Sequence, residues 1–154
     1  MSGNKSVVFY AISSDFSQIV LKLCEKFYES KENTLLLTSS DDETRFFDAK
    51  IWTYSRLGFI PHGSKFSIPD DKIDFCRIWI SDEIEFKNSP SSLIHNGVDI
   101  KNKDLLKNFD KIIDIFNISD MDSSRIRSED YRCLGFDQQK IWIQDKTSWK
   151  PGVL

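Results

Sequence analysis

A basic excess is missing from this chain. Lys and Arg number 21 against 24 Asp and Glu, a formal net charge of −3, and the pI lies near 5.4. A protein that grips a phosphate backbone by charge usually carries surplus cations. The composition therefore disfavours direct nucleic-acid binding and leaves room only for a local basic face. Paired cysteines are missing as well. Cys24, Cys76 and Cys133 are far apart, odd in number and set among apolar neighbours, the pattern of reduced core thiols in a cytoplasmic protein. Long hydrophobic runs are also absent. The opening MSGNKSVVFYAISSDF holds too short an apolar stretch for a signal peptide, and nothing approaches a membrane span.

The usual catalytic signatures are equally scarce. A phosphate cradle needs glycines, so that backbone N–H groups approach the ligand, and a Lys or helix terminus to meet its charge. The turn after the first apolar run, Ala11-Ile12-Ser13-Ser14-Asp15, has neither. No Gly-x-Ser-x-Gly elbow occurs, and no Cys/His pairing follows from spacing. Asp41-Asp42-Glu43 sit where a helix start favours negative charge, not among convergent metal ligands. No cofactor or metal is expected. His62, after Pro61, is a candidate general base in a cleft, although a lone turn histidine more often serves as a hydrogen-bonded structural residue.

What is present points to an α/β protein. The 154 residues fit one domain, long enough to bury roughly two thirds of the unfolded surface. Apolar residues make up 40% and aromatics 13%, which argues against global disorder. Val7–Tyr10 reads as a buried strand, and Phe16, Ile19, Val20, Leu23, Cys24 and Phe27 follow at helical spacing to about Glu29. Thr34–Thr38 is a second strand, and Ser40 with Glu43 opens a second helix running to Trp52. Strand, helix, strand, helix predicts right-handed βαβ units and a mostly parallel sheet with helices packed on it. Further strands are expected over Asp74–Ile80, Leu93–Val98 and Lys111–Phe116. A helix is expected over Leu105–Phe109, and a last helix from about Asp120–Ser124 to Gly135. Lys140–Gln144 is expected as an edge strand or a packed extension.

Two stretches stand out for binding. DAKIWTYSRLGFIPHG, from Asp48 to Gly63, packs Trp52, Tyr54, Leu57, Phe59 and Ile60 around a helix exit. Either it folds back as core or it presents an aromatic patch to a partner. In the last helix, Arg125, Ser128 and Arg132 share one face with Met121 a turn earlier, while Ile126, Cys133 and Leu134 suit a core and Arg127 points elsewhere. Two arginines in register either hold an acidic peptide or carboxylate, or form a solvated face neutralised by Asp122, Glu129 and Asp130.

The same residues resemble the chi subunit of bacterial DNA polymerase III. Its central signature is an acidic residue, an apolar step, a Trp and then Phe-Ile/Val-Pro-His. Here this stands as Asp48, Ile51-Trp52 and Phe59-Ile60-Pro61-His62-Gly63. The second signature, Tyr-Arg-x-x-Gly-Phe, is Tyr131-Arg132-Cys133-Leu134-Gly135-Phe136, and Phe9-Tyr10 matches the family's start. The likeness runs from about Val7 to Trp142. It implies a single chi-like domain over 1–154, a three-layer α/β fold with helices on both faces of the sheet and nucleotide-binding-like topology without a phosphate loop. It also implies a non-catalytic accessory subunit of the clamp-loader assembly. The implied partners are the acidic, Phe-terminated C-terminal tail of single-stranded DNA-binding protein and a psi-like or other clamp-loader subunit, with no direct nucleic-acid contact and no membrane. Tail-binding roles fall on Arg125, Arg132, Ser128 and Phe116, and the psi-like interface on Trp52, Phe59, Ile60 and Pro61. The family's second tail-binding basic residue falls near Met121 and an aromatic position on Ser128, so Arg127 or Lys150 are the substitutes to consider. The alternatives are a small enzyme using His62, or a purely structural interaction domain.

Overall fold

Residues 4–54 and 60–154 are described by a computed structural model. The chain runs β1 (Ser6–Ile12), α1 (Phe16–Glu29), β2 (Thr34–Leu37), α2 (Asp41–Tyr54), β3 (His62–Gly63), β4 (Ile78–Ser81), β5 (Ser92–His95), β6 (Lys111–Asn117), α3 (Met121–Cys133), β7 (Gln138–Asp145) and β8 (Ser148–Pro151). The strands form one sheet in the order β3-β4-β2-β5-β6-β1-β7-β8. Every pairing is parallel except the closing β7–β8 hairpin.

Local chemistry sets the helix limits. Asp15 caps α1, its Oδ1 accepting from the Ser17 amide at 3.0 Å. Ser40 caps α2 by accepting from the Glu43 amide at 3.2 Å, and the Glu43 carboxylate reaches back to the Ser39 amide at 3.2 Å. α3 ends where Gly135 adopts φ +95°. There the Phe136 amide returns to the Tyr131 carbonyl and the Gly135 amide to that of Arg132, at 3.0 and 3.1 Å. Such a left-handed exit favours glycine.

The sheet divides two apolar layers. α1 and α2 cover one face through Val20, Leu23, Cys24, Phe27, Phe47 and Ile51, over Leu36, Ile78, Ile94 and Ile113. The other face carries Val7, Phe9, Leu35, Trp79, Leu93 and Ile112 beneath Ile73, Leu106, Phe109, Tyr131 and Phe136. Burying both faces explains why the strands read as continuous apolar runs. The three-layer, mostly parallel α/β architecture is therefore as expected.

Several details differ from expectation. Residues 70–75 form a 3-10 helix, so the strand expected over Asp74–Ile80 begins only at Ile78. The helix expected over Leu105–Phe109 is a 3-10 segment over Lys103–Asn108. Both segments are six residues long, which is short for an α-helix. Lys140–Gln144 is not an edge: it lies inside β7, between β1 and β8. In α3 the buried stripe is Ser124, Ser128 and Tyr131, not Ile126 and Cys133. Ile126 is 66% exposed and Cys133 lies at the surface. Cys24 and Cys76 are core thiols, and burial pushes the Cys24 thiol up to about 12.

Candidate functional site

The aromatic stretch begins on α2. Asp48, buried, lies one turn before Trp52. Pro61 ends the loop and His62-Gly63 form β3 against Ile78-Trp79 of β4. This pairing turns the His62 ring inward. Its Nδ1 lies 2.7 Å from the Ile60 carbonyl, and its Nε2 lies 2.8 Å from the Asp48 carbonyl and 3.4 Å from Asp48 Oδ1. Both ring nitrogens thus lie against backbone carbonyls. The Ser64 hydroxyl donates to Asp48 Oδ2 at 2.7 Å. His62 is thus an internal clamp joining α2 to the loop exit, with no ring nitrogen turned towards a substrate. That arrangement removes the role of general base.

The Trp52 indole packs edge-on against the clamp, its ring centroid 5.1 Å from that of His62, and remains 57% exposed. Ile60, expected beside it in an interface, is buried, because it lies two residues before His62 of β3 and joins the core under α2. Pro61 is half-buried, and its carbonyl accepts from the Arg77 amide at 2.7 Å. Phe59 and Leu57 lie outside the described residues.

Phe46 and Phe66, which the sequence did not single out, are also exposed, at 43% and 39%. Arg45 lies over the Phe66 ring at 4.1 Å and Lys50 near that of Phe46 at 5.7 Å. Adjacent Phe46 and Phe47 on one helix carried the signal, since neighbours cannot both face one core.

α3 presents its arginines outward. Arg125 pairs with Asp122 at 2.9 Å and Arg132 with Glu129 at 3.1 Å, each within its own helix and each exposed. Ser128 and Phe116, assigned with them to tail binding, are buried. The Ser128 hydroxyl donates to Gln139 Oε1, and Gln139 Nε2 donates to the Ser128 and Phe136 carbonyls at 3.0 Å. Phe116 packs edge-on to Phe9 in the core. The two arginines therefore share an outer face, while Ser128 and Phe116 support it from within.

A buried polar chain lies beneath α3. The Arg127 guanidinium grips Asp114 with two bonds, at 2.7 and 2.9 Å. The Tyr131 hydroxyl donates to Asp114 Oδ2 at 2.7 Å and lies 2.8 Å from His95 Nε2. The Val98 amide donates to His95 Nδ1 at 3.2 Å, which fixes the tautomer. Burial holds the His95 imidazole below its usual range, against the raising influence of Asp114. Burial, and then the Asp114 charge, pushes the Tyr131 phenol well up. An Asp inside the apolar run KIIDIF was the sequence sign of this network. Beside it a groove of about 290 Å³ opens between α3 and the 97–106 segment, lined by Val98, Ile100, Leu106, Ile126 and Arg127 among others. Among the described residues no group of three or more His, Cys, Asp or Glu could hold a metal, and no helix is long and apolar enough to cross a membrane.

Comparison with known proteins agrees with the two signatures. The family described as DNA polymerase III chi subunit, HolC, matches residues 5–139. A probable DNA polymerase III subunit chi from Rickettsia prowazekii (strain Madrid E) is 34% identical over 116 residues, covering 72% of this chain and 68% of that protein.

Proposed function

The chain belongs to the DNA polymerase III chi subunit family, an accessory and not a catalytic subunit of the replicative polymerase, and from that premise we propose that it acts as a two-sided adaptor in the cytoplasm. One side takes the acidic C-terminal tail of single-stranded DNA-binding protein on the outer face of α3. The other docks a psi-like clamp-loader subunit around Trp52.

The exposed Trp52 indole carries this reading. A large aromatic ring held outward on a buried polar base is costly for an isolated domain, yet it suits an interface anchor. A purely structural domain would hide it. Arg125 and Arg132 add the charge complement. Their partners are exposed i,i+3 acids of the same helix, and pairs of that kind contribute little. An incoming carboxylate can exchange for them at small cost. Arg127 is committed to Asp114 and is the poorer substitute.

A labelled acidic peptide ending in Phe tests the tail side. Arg125→Ala is expected to weaken binding roughly tenfold, the scale of one charge-assisted hydrogen bond, and added salt to weaken it further. Undiminished affinity in Arg125→Ala, or no binding to the unaltered protein, would count against the tail assignment.

A further inference from the structure

The face of the sheet under α1 and α2 is only partly covered. Among the described residues, no side chain of β7 or β8 belongs to the apolar cluster beneath those helices. Val8 and Tyr10 of β1 lie at its margin, partly buried. Ile141 and Ile143 of β7 point to the opposite layer, so alternation puts Lys140, Trp142 and Gln144 on the uncovered side. The hairpin register adds Trp149 and Pro151, opposite Gln144 and Trp142. Tyr10 sits beside Trp142 in register, and the exposed Trp149 ring meets that of Tyr10 edge-on at 5.3 Å.

Positive charge borders these rings. Lys26 of α1 and Lys111 of β6 line a recess of about 80 Å³ together with Val8 and Tyr10. Lys140 stands beside Val8 in register. The acid lining that recess is Glu32, 3.9 Å from Lys111. The recess holds two lysines to one glutamate, and Lys140 beside it adds to a local basic excess on a chain whose net charge is −3. Successive side chains on one face of a strand are about 6.6 Å apart, so Lys140, level with Val8, lies one such step from the level of the Tyr10 and Trp142 rings.

We propose that this uncovered part of the sheet is a binding site for single-stranded nucleic acid. Bases stack on Trp149, Trp142 and Tyr10, and backbone phosphates meet Lys140, Lys111 and Lys26. An aliphatic peptide would satisfy the rings and leave the lysines, whereas a merely acidic one would do the reverse. A chain that alternates phosphate with flat base satisfies both. Pro151 lacks an N–H, so the exposed hairpin is a poor template for strand addition. The site involves neither Trp52 nor the α3 arginines, and it stands independently of the adaptor reading.

The test is fluorescence anisotropy of a labelled oligothymidine of about 15 nucleotides, the upper range for one such binding site, with the full chain at low salt. Saturable binding that weakens as salt is raised is expected. Trp149→Ala should lose about fivefold or more, the lower end of what removing one stacking ring costs. Lys140→Glu, a surface change that leaves the aromatic packing intact, should weaken binding and flatten its salt dependence, while Arg125→Ala should bind normally. Thermal melting of each variant separates lost binding from lost folding, and if Trp149→Ala melts early, Lys140→Glu decides alone. Absence of saturable binding overturns the proposal, as does binding that Lys140→Glu leaves unchanged. So does a Trp149→Ala variant that melts normally and loses affinity for the acidic Phe-terminated peptide while keeping its affinity for the oligonucleotide.

Discussion

At the scale of single residues, the two histidines show how position decides role. His62 is pressed between two carbonyl oxygens with Asp48 Oδ1 at 3.4 Å and ties α2 to β3. His95 accepts the Val98 amide on one nitrogen and faces the Tyr131 hydroxyl on the other, an environment made for the neutral ring. Tyr131, Asp114 and Arg127 are the titratable groups in its network, and burial outweighs the attraction of Asp114, so its pKa is depressed. Above about pH 6.5, the ordinary histidine value, His95 is unprotonated in folded and unfolded chains alike. Below it the unfolded chain binds a proton that the folded chain excludes, so stability falls. The urea midpoint should therefore drop between about pH 7.5 and about pH 5.5, and His95→Gln should lessen that drop. An identical drop in the variant would show that His95 does not carry it. None of this was legible from two isolated histidines, because the partners of His95 lie 19 and 36 positions further along the chain.

At the scale of elements, β3 is only two residues long, yet its pairing with β4 holds the His62 ring inward. Its Gly63 has no room for a side chain. A Cβ there would lie 2.1 Å from Ile68 Cγ1 and 3.1 Å from Ile68 Cβ, near the root of a branched chain that cannot swing aside. Gly63→Ala should cost about 1–3 kcal/mol through overpacking, read as a shift in the denaturant midpoint at constant slope. A variant as stable as the parent would mean that Ile68 relocates freely. The elements that read correctly were those with an unambiguous local pattern: the apolar runs of β1, β2 and β6, the helical spacing of α1 and the capped start of α2. Those that misread were decided by tertiary context. α3 buries serines and a tyrosine because their hydroxyls find Met121, Gln139 and Asp114 as partners, so hydrophobicity pointed to the wrong stripe. β7, expected as an edge strand or a packed extension, alternates polar with apolar residues. That alternation reflects the missing helix cover over one of its faces.

At the scale of the whole molecule, the sheet separates the two surfaces assigned to partners. Trp52 rises from α2 on one layer, while Arg125 and Arg132 stand on α3 in the other. The polar networks behind them are also separate: Asp48, His62 and Ser64 behind the indole, and His95, Asp114, Arg127 and Tyr131 beneath α3. The two networks have no residue in common, so a change at one surface should be invisible at the other. Sites that share no partners add to within about 0.5 kcal/mol. Calorimetric titration of the acidic Phe-terminated peptide should therefore give Trp52→Ala the affinity of the parent, and give Trp52→Ala with Arg125→Ala the affinity of Arg125→Ala alone. A coupling energy well beyond about 0.5 kcal/mol would mean that the sheet transmits strain between its faces. Two partners would then compete or cooperate through the fold, where independent surfaces let both be held at once.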